Sequence, residues 1–455
     1  MKVTDLIRLG KKALNMFDKY VKDTDIEPPM RAYVRWFITK LEVSEKTRSS
    51  EASSEVIEMP DWSKTVYDFV EQKVKPLPEF KKLNQDIVKK YKKNINELSR
   101  SSNELVQVAY WLGNFIQRLI YKKLQGTLSS DSIIEYASLF KSELELSPYE
   151  FEHIYYLDGI FIDVKSIQIN EGVVIRKTQA KDLEYTVDIF LGSAMPSYMD
   201  TPSSILEIEI STRNETDCRK YSNRLFNALR LFKLGSIYSI MLVSNKKAIL
   251  GSGGGKSWSN TQYTTNSKYT VTKKETDIFV KFINKIVERL NFGEDDKQHR
   301  SLAVALDRYN SALIESTNTD KRLMNVVMGL ESLFTLEKDK GENAFKLGIR
   351  TAKFLSNLGF DALKVRESTE QGYAFRNKVV HGSHISQANR KKMNEILHEI
   401  LNYLRISLTA FLLSKSMAKD KIVDMIDRAT VSDAHNAKLK KTIENYTGEF
   451  TKVLS

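Results

Sequence analysis

The stretch MNEILHEILNYLRISLTAFL, residues 393–412, decides the architecture of the C-terminal part of this chain. Met393, Ile396, Leu397, Ile400, Leu401, Leu404, Leu408, Phe411 and Leu412 recur every three or four residues, the spacing of one helix face. A second stripe, Leu323, Val327, Leu330 and Phe334, lies upstream. All eight prolines lie at or before Pro202, so nothing interrupts long helices in the last 253 residues. Amphipathic helices with short connections predict a helical bundle over 296–455.

Moving toward the N-terminus, the period changes. In SILEIEI, Leu206, Ile208 and Ile210 alternate with Glu207 and Glu209, which predicts a strand with one buried face. GIFIDVKSIQI, VVIRK, EYTVDIF and SIYSIMLVS are further strand candidates between 149 and 250. A helix is predicted over Arg219 to Leu234, with Gly235 as its C-cap. GSGGGKSWSNTQYTTNSKYT, 251–270, reads as a long polar loop. Residues 1–145 carry the helical period, as in Tyr67, Val70 and Val74, or Leu105, Val108, Leu112, Phe115 and Leu119. The Ser-rich SEKTRSSEASSE, 44–55, reads as an exposed loop among them. The expected fold class is α+β: a helical region 1–145, a mixed α/β region 146–295, and an all-α bundle 296–455.

Composition narrows the function. The chain has 455 residues, 41% apolar and 28% charged, a globular balance. No uncharged apolar run reaches the roughly 18 residues of a membrane span, and the N-terminal MKVTDLIRLGKK lacks the apolar core of a signal peptide. Cys218 is the single cysteine, which excludes an intrachain disulfide and a cysteine zinc site. A cytoplasmic protein without a membrane partner is expected. The net charge of +12 favours polyanionic partners such as RNA. It is spread along the chain: residues 301–455 hold 24 basic and 18 acidic side chains. The densest run, Lys73 to Lys93, has eight lysines with Phe80 and Tyr91 among them. It reads either as a phosphate-binding face or as a solvated helix face, the commoner case.

Two motif readings fail on spacing. A phosphate-binding P-loop needs Gly, four residues, then Gly-Lys-Ser/Thr; here Gly251 stands only three residues before Gly255, and a polar segment follows Lys256. Glu207 and Glu209, with Asp188, resemble a nuclease metal site, but Ile210 and Ser211 follow where a lysine belongs. The six histidines show no paired spacing for a metal.

YAFRNKVVHG, 373–382, can carry chemistry. Asn377 and His381 are one turn apart on a helix, and Gly382 reads as a C-cap that places His381 in the last turn. There the helix dipole favours the protonated imidazole. Histidine both accepts and donates a proton near neutral pH. Arg376 is permanently charged and can grip a phosphate with two N–H groups. RNA brings its own nucleophile, the 2′-OH, so these three side chains require no metal. An ordinary helix end with a surface arginine has the same spacing.

RNKVVHG resembles the R-x4–6-H motif of the HEPN superfamily, a helical-bundle group rich in metal-independent ribonucleases. The upstream segment 322–355, with Leu330, Glu331 and Leu333 followed by Arg350, is similar to the Apea-like branch. The resemblance covers roughly 300–415 and implies an endoribonuclease without metal or cofactor. It further implies a homodimer that joins two motifs around one scissile phosphate, and products ending in a 2′,3′-cyclic phosphate. By the same resemblance Arg376 and His381 are catalytic and Asn377 positions the site. Glu331 joins these candidate catalytic residues on a physical ground: at the margin of its stripe it is a half-buried carboxylate that needs a partner, Arg376 or, as a structural salt bridge, Arg350. His384 would be a bystander. RNA, with transfer RNA as the candidate, is the implied substrate, and antiviral defence by abortive infection the implied context. Residues 1–295 would then sense an unidentified trigger. The competing expectation is a non-catalytic module that dimerises or binds RNA or protein.

Overall fold

The computed structural model describes residues 2–98, 103–188, 201–213, 215–250, 254–258, 267–292, 299–315, 318–339, 341–382 and 385–454. The architecture is α+β, with sheets in the N-terminal half and a helical C-terminal region.

The N-terminal region holds α1 (Val3–Thr24), β1 (Met30–Val43), β2 (Arg48–Pro60), α2 (Ser63–Phe69), α3 (Pro78–Leu98), α4 (Glu104–Leu124) and α5 (Ser130–Leu144). The helices share a core that includes Phe17, Phe69, Trp111, Phe115 and Phe140. Residues 30–60 depart from the helical expectation and form a long antiparallel hairpin, pairing from Met30↔Pro60 to Val43↔Arg48 with a register shift between Ile38 and Lys40. The Ser-rich 44–55 is a loop only at the turn, where Ser44 N–H donates to the Thr47 carbonyl at 2.8 Å. Tyr33, Val34, Trp36, Phe37 and Ile38 favour extended backbone, and the polar strand beside them is held by pairing, not by its own propensity. The lysine run lies largely on α3, but Phe80 and Tyr91 are buried in the helical core, so no aromatic platform accompanies it.

The middle region holds β3 (Tyr149–Asp158), β4 (Ile160–Ile162), β5 (Ser166–Asn170), β6 (Val173–Lys177), β7 (Tyr185–Asp188), β8 (Ser204–Thr212), α6 (Glu215–Phe232), β9 (Tyr238–Lys247), β10 (Gly254–Trp258), β11 (Tyr269–Val271) and α7 (Thr276–Arg289). Six strands form an antiparallel sheet in the order β10-β9-β3-β8-β6-β5. Part of the expected loop 251–270 is therefore strand; its residues 251–253 and 259–266 lie outside the described residues. Gly235 is not a left-handed cap. It is small because a Cβ there would meet the Tyr269 ring at 2.6 Å.

The last four carbonyls of α6 have no partner within their own helix. Tyr269 Oη donates to Leu229 O at 2.7 Å and Tyr309 Oη to Arg230 O at 2.8 Å. Arg405 Nη1 donates to Leu231 O and Phe232 O at 2.9 and 3.0 Å.

The C-terminal region holds α8 (Arg300–Asn310), α9 (Thr319–Phe334), α10 (Asn343–Ser356), α11 (Ala362–Val380), α12 (Gln387–Leu413), α13 (Lys419–Val431), α14 (Asp433–Thr447) and α15 (Thr451–Leu454). The decisive stretch lies in α12, which runs through the middle of the bundle. It is the one helix among the described residues long and apolar enough to cross a membrane, yet 83% of that apolar window is buried inside the protein. Close approach is possible because α9 and α11 present glycine to it. A Cβ on Gly329 would lie 2.6 Å from Leu404, and one on Gly372 2.8 Å from Ile400. One apolar core runs from the sheet into the bundle, through Phe232, Phe279, Phe282 and Phe450.

Replacing Arg405 with Met removes the donor to two buried carbonyls, each of which costs about 1–3 kcal/mol when left unpaired. The expected result is a lower urea midpoint and faster amide exchange at the end of α6. Tyr309→Phe removes one donor and should lower the midpoint less. An unchanged midpoint in R405M would show that these carbonyls need no cap.

Candidate functional site at the end of α11

Asp361 starts α11 by accepting from Lys364 N–H at 2.8 Å, and Gly372 and Phe375 bury one face of the helix. The helix ends where His381 N–H donates to Asn377 O at 3.0 Å and Gly382 N–H to Val379 O at 3.1 Å. Gly382 has φ +65°, a left-handed conformation that glycine adopts without steric penalty. Gly382 thus terminates the helix as expected, but His381 is the cap residue and lies just beyond the last turn. Its imidazole is exposed and has no hydrogen-bonding partner among the described residues.

One turn back, Arg376 is held on three sides. Its Nη1 donates to Asn377 Oδ1 at 3.1 Å, its Nη2 lies 3.9 Å from the Glu331 carboxylate, and its guanidinium sits 5.5 Å over the Tyr373 ring. Both charged side chains are about three-quarters buried. Leu330, Leu333 and Phe334 anchor α9 in the core and leave Glu331 at the margin facing α11. Burial pushes the Glu331 carboxyl above its ordinary range, against the opposing pull of Arg376 and the Tyr373 hydroxyl.

Arg350, the other partner considered for Glu331, is engaged elsewhere. It is buried and binds Asp339 and Asp427, with distances of 2.5 Å from Nη1 and 2.7 Å from Nε, and donates to Phe334 O at 2.8 Å. It is a structural tie between α10, α13 and the end of α9.

The structure therefore brings Glu331, Arg376 and Asn377 together and leaves His381 exposed beside them. His384 lies outside the described residues. Three residues near the site escaped the sequence reading. Tyr373 precedes Arg376 by three residues, so helical spacing could have grouped them. Lys391 and Lys392, exposed in the second turn of α12, follow the exposed Lys378 of α11 across the short connection between the two helices. These three lysines add positive charge on either side of that connection.

The rejected sites stay apart. Glu207 binds Arg176 at 2.8 Å, and Glu209 lies 3.4 Å from Lys247. Asp188 belongs to the other sheet, where β7 pairs with β1. Gly255 and Lys256 lie in the edge strand β10, not in a loop wrapping a helix N-terminus. Among the described residues no group of three or more His, Cys, Asp or Glu is placed to hold a metal. Comparison with family models, with curated proteins and with solved structures finds no match to this chain.

Glu331 holds its proton more tightly in the folded than in the unfolded chain. Its contribution to stability is therefore present at low pH and lost as pH rises from the ordinary carboxyl value, 4.5, through the raised folded value. Urea midpoints measured from pH 4 upward should fall less in Glu331→Gln than in the parent. Equal slopes in the two proteins would contradict a strained carboxyl.

Proposed function

We propose that this chain is a metal-independent endoribonuclease acting at the end of α11. The observation that carries the reading is the half-buried Arg376, fixed by Glu331 and Asn377 one turn from an exposed imidazole at a helix end. The Arg-Asn-x-x-x-His pattern and its resemblance to HEPN ribonucleases point the same way.

In this reaction His381 takes the proton of a ribose 2′-OH. The 2′ oxygen attacks the neighbouring phosphorus, the P–O5′ bond breaks, and the 5′ oxygen leaves with a proton. Charge that builds on the phosphorane oxygens meets the Arg376 guanidinium. One imidazole serves as base; the acid comes from His381 of a second copy, so the active species is a homodimer formed through the bundle. Val380, apolar and 54% exposed beside His381, is a residue such a partner would cover. Lys378, Lys391 and Lys392 hold the strand. Transfer RNA as substrate, defence by abortive infection, a cytoplasmic setting, and a trigger-sensing role for residues 1–295 belong to the same proposal and rest on the resemblance.

One observation favours a second reading, a non-catalytic RNA- or protein-binding bundle: nothing among the described residues orients the His381 side chain. Total RNA incubated with the purified chain in EDTA separates the two. The expected result is cleavage to 2′,3′-cyclic phosphate ends, reduced about 10²–10⁴-fold in His381→Ala, the usual weight of a general acid–base group. Arg376→Ala should lose activity as well. Undiminished cleavage by H381A would refute the catalytic assignment, and binding without cleavage by the parent would select the second reading.

A further inference from the structure

A cleft of about 470 Å³ opens between α6, the β9–β10 edge and α8. From α6 it is lined by Asn223, Phe226, Asn227 and Arg230, and from α8 by Asp307 and Asn310. The α6 residues follow i, i+3, i+4, i+7, a single helix face. On most helices of this protein such a face is apolar and packed; here it is half amide and borders open space.

The amides are ordered by their own network. Asn227 Oδ1 accepts from Asn310 Nδ2 at 2.9 Å and from Arg230 Nη1 at 3.4 Å. Arg230 Nη1 also donates to Asn310 Oδ1 at 3.1 Å, and its Nε to Ile237 O at 2.8 Å. Turning the Asn227 amide over would set its N–H groups against two donors. Its orientation is thereby fixed, with Nδ2 left as a donor that has no partner among the described residues. Asn223, one turn earlier and exposed, has no partner among them either. Beneath the amides, Tyr155 and Phe226 pack edge to face at 5.2 Å, with Leu242 of β9 alongside. Arg230 and Asp307 balance in charge, so the cleft does not select an anion.

Two neighbouring amides over an aromatic and aliphatic floor suit a flat, uncharged heterocycle that offers a carbonyl acceptor. We propose that this cleft binds a nucleobase bearing a ring carbonyl, such as uracil or guanine, through the outward N–H groups of Asn227 and the amide of Asn223. With its Oδ1 already engaged, Asn227 offers only N–H donors, which a ring carbonyl accepts, and unstacked bases rest against aromatic side chains. The volume accommodates one nucleoside. The base can come from a free nucleoside or from an unpaired position of an RNA strand. The inference is independent of the ribonuclease reading, since it concerns a different face and is tested by binding.

Calorimetric titration of the full chain with uridine, guanosine and adenosine tests it, with hexauridylate added to the His381→Ala chain as the strand arm. Uridine or guanosine should saturate the protein and bind more tightly than adenosine. Asn227→Asp keeps the acceptor for Arg230 and Asn310 but removes the outward donor, so it should weaken binding about tenfold, one hydrogen bond's worth, while the melting temperature is retained. Asn223→Ala, at an exposed position, should weaken it without affecting folding. Tighter binding of hexauridylate than of uridine, weakened when Asn227→Asp is added, assigns the cleft to a strand, and tighter binding of uridine assigns it to a free nucleoside. Absence of saturation by uridine, guanosine and hexauridylate at millimolar concentration, or undiminished binding by both N227D and N223A, would overturn the proposal.

Discussion

The architecture depends on how the C-terminal end of α6 is closed. A helix end exposes carbonyls that water normally satisfies. Here the end is driven into the apolar seam between sheet and bundle, where water is excluded. Three donors from remote parts of the chain take its place: Tyr269 in β11, Tyr309 at the end of α8, and Arg405 in the middle of α12. Arg405 carries a charge into the core, which is costly unless compensated. The negative pole of the α6 dipole and the Asn402 side chain, which accepts from Nε at 2.9 Å, supply that compensation. Because each donor is correct in only one register, sheet, α8 and α12 lock together.

That lock reaches the candidate site. α12 is fixed along its length by Arg405 and by the close approaches at Gly329 and Gly372. The same glycines belong to α9 and α11, the helices that carry Glu331 and Arg376. A half-buried ion pair at 3.9 Å gains little by itself, since desolvation offsets much of the attraction. Its value is orientation. The guanidinium is held between a carboxylate, an amide and an aromatic ring, while the imidazole beyond it stays open to solvent.

Local patterns were legible and distant partnerships were not. The α12 stripe and the alternation of Leu206, Ile208 and Ile210 each announce their element, because burial imposes a period on the residues themselves. The grouping of Arg376 with Asn377 follows from spacing, and Glu331 as a margin residue follows from its stripe. The choice between Arg376 and Arg350 as its partner depends on the placement of Asp339 and Asp427, which no local pattern encodes. β2 was invisible because Ser and Glu carry no strand preference and the neighbour imposes the conformation. Gly235 reads as a cap by habit of composition, whereas a tyrosine ring more than thirty residues later sets its size. The capping roles of Tyr269, Tyr309 and Arg405 are equally hidden, since each is defined by a carbonyl far away in sequence.

The composition of β2 has a consequence for behaviour in solution. Among the described residues it is the outer strand of its sheet, with no strand paired to its outward rim of amide and carbonyl groups. Such a rim invites a stranger's backbone. Over its serine-rich part, Glu51 and Glu55 make an approaching copy of the same strand meet like charge, whereas Val56 and Met59 near its end are apolar and exposed. The serine-rich part of the hairpin, next to its turn, is in effect guarded against fibril-like stacking, which lets a long, half-exposed ribbon persist beside a crowded helical body.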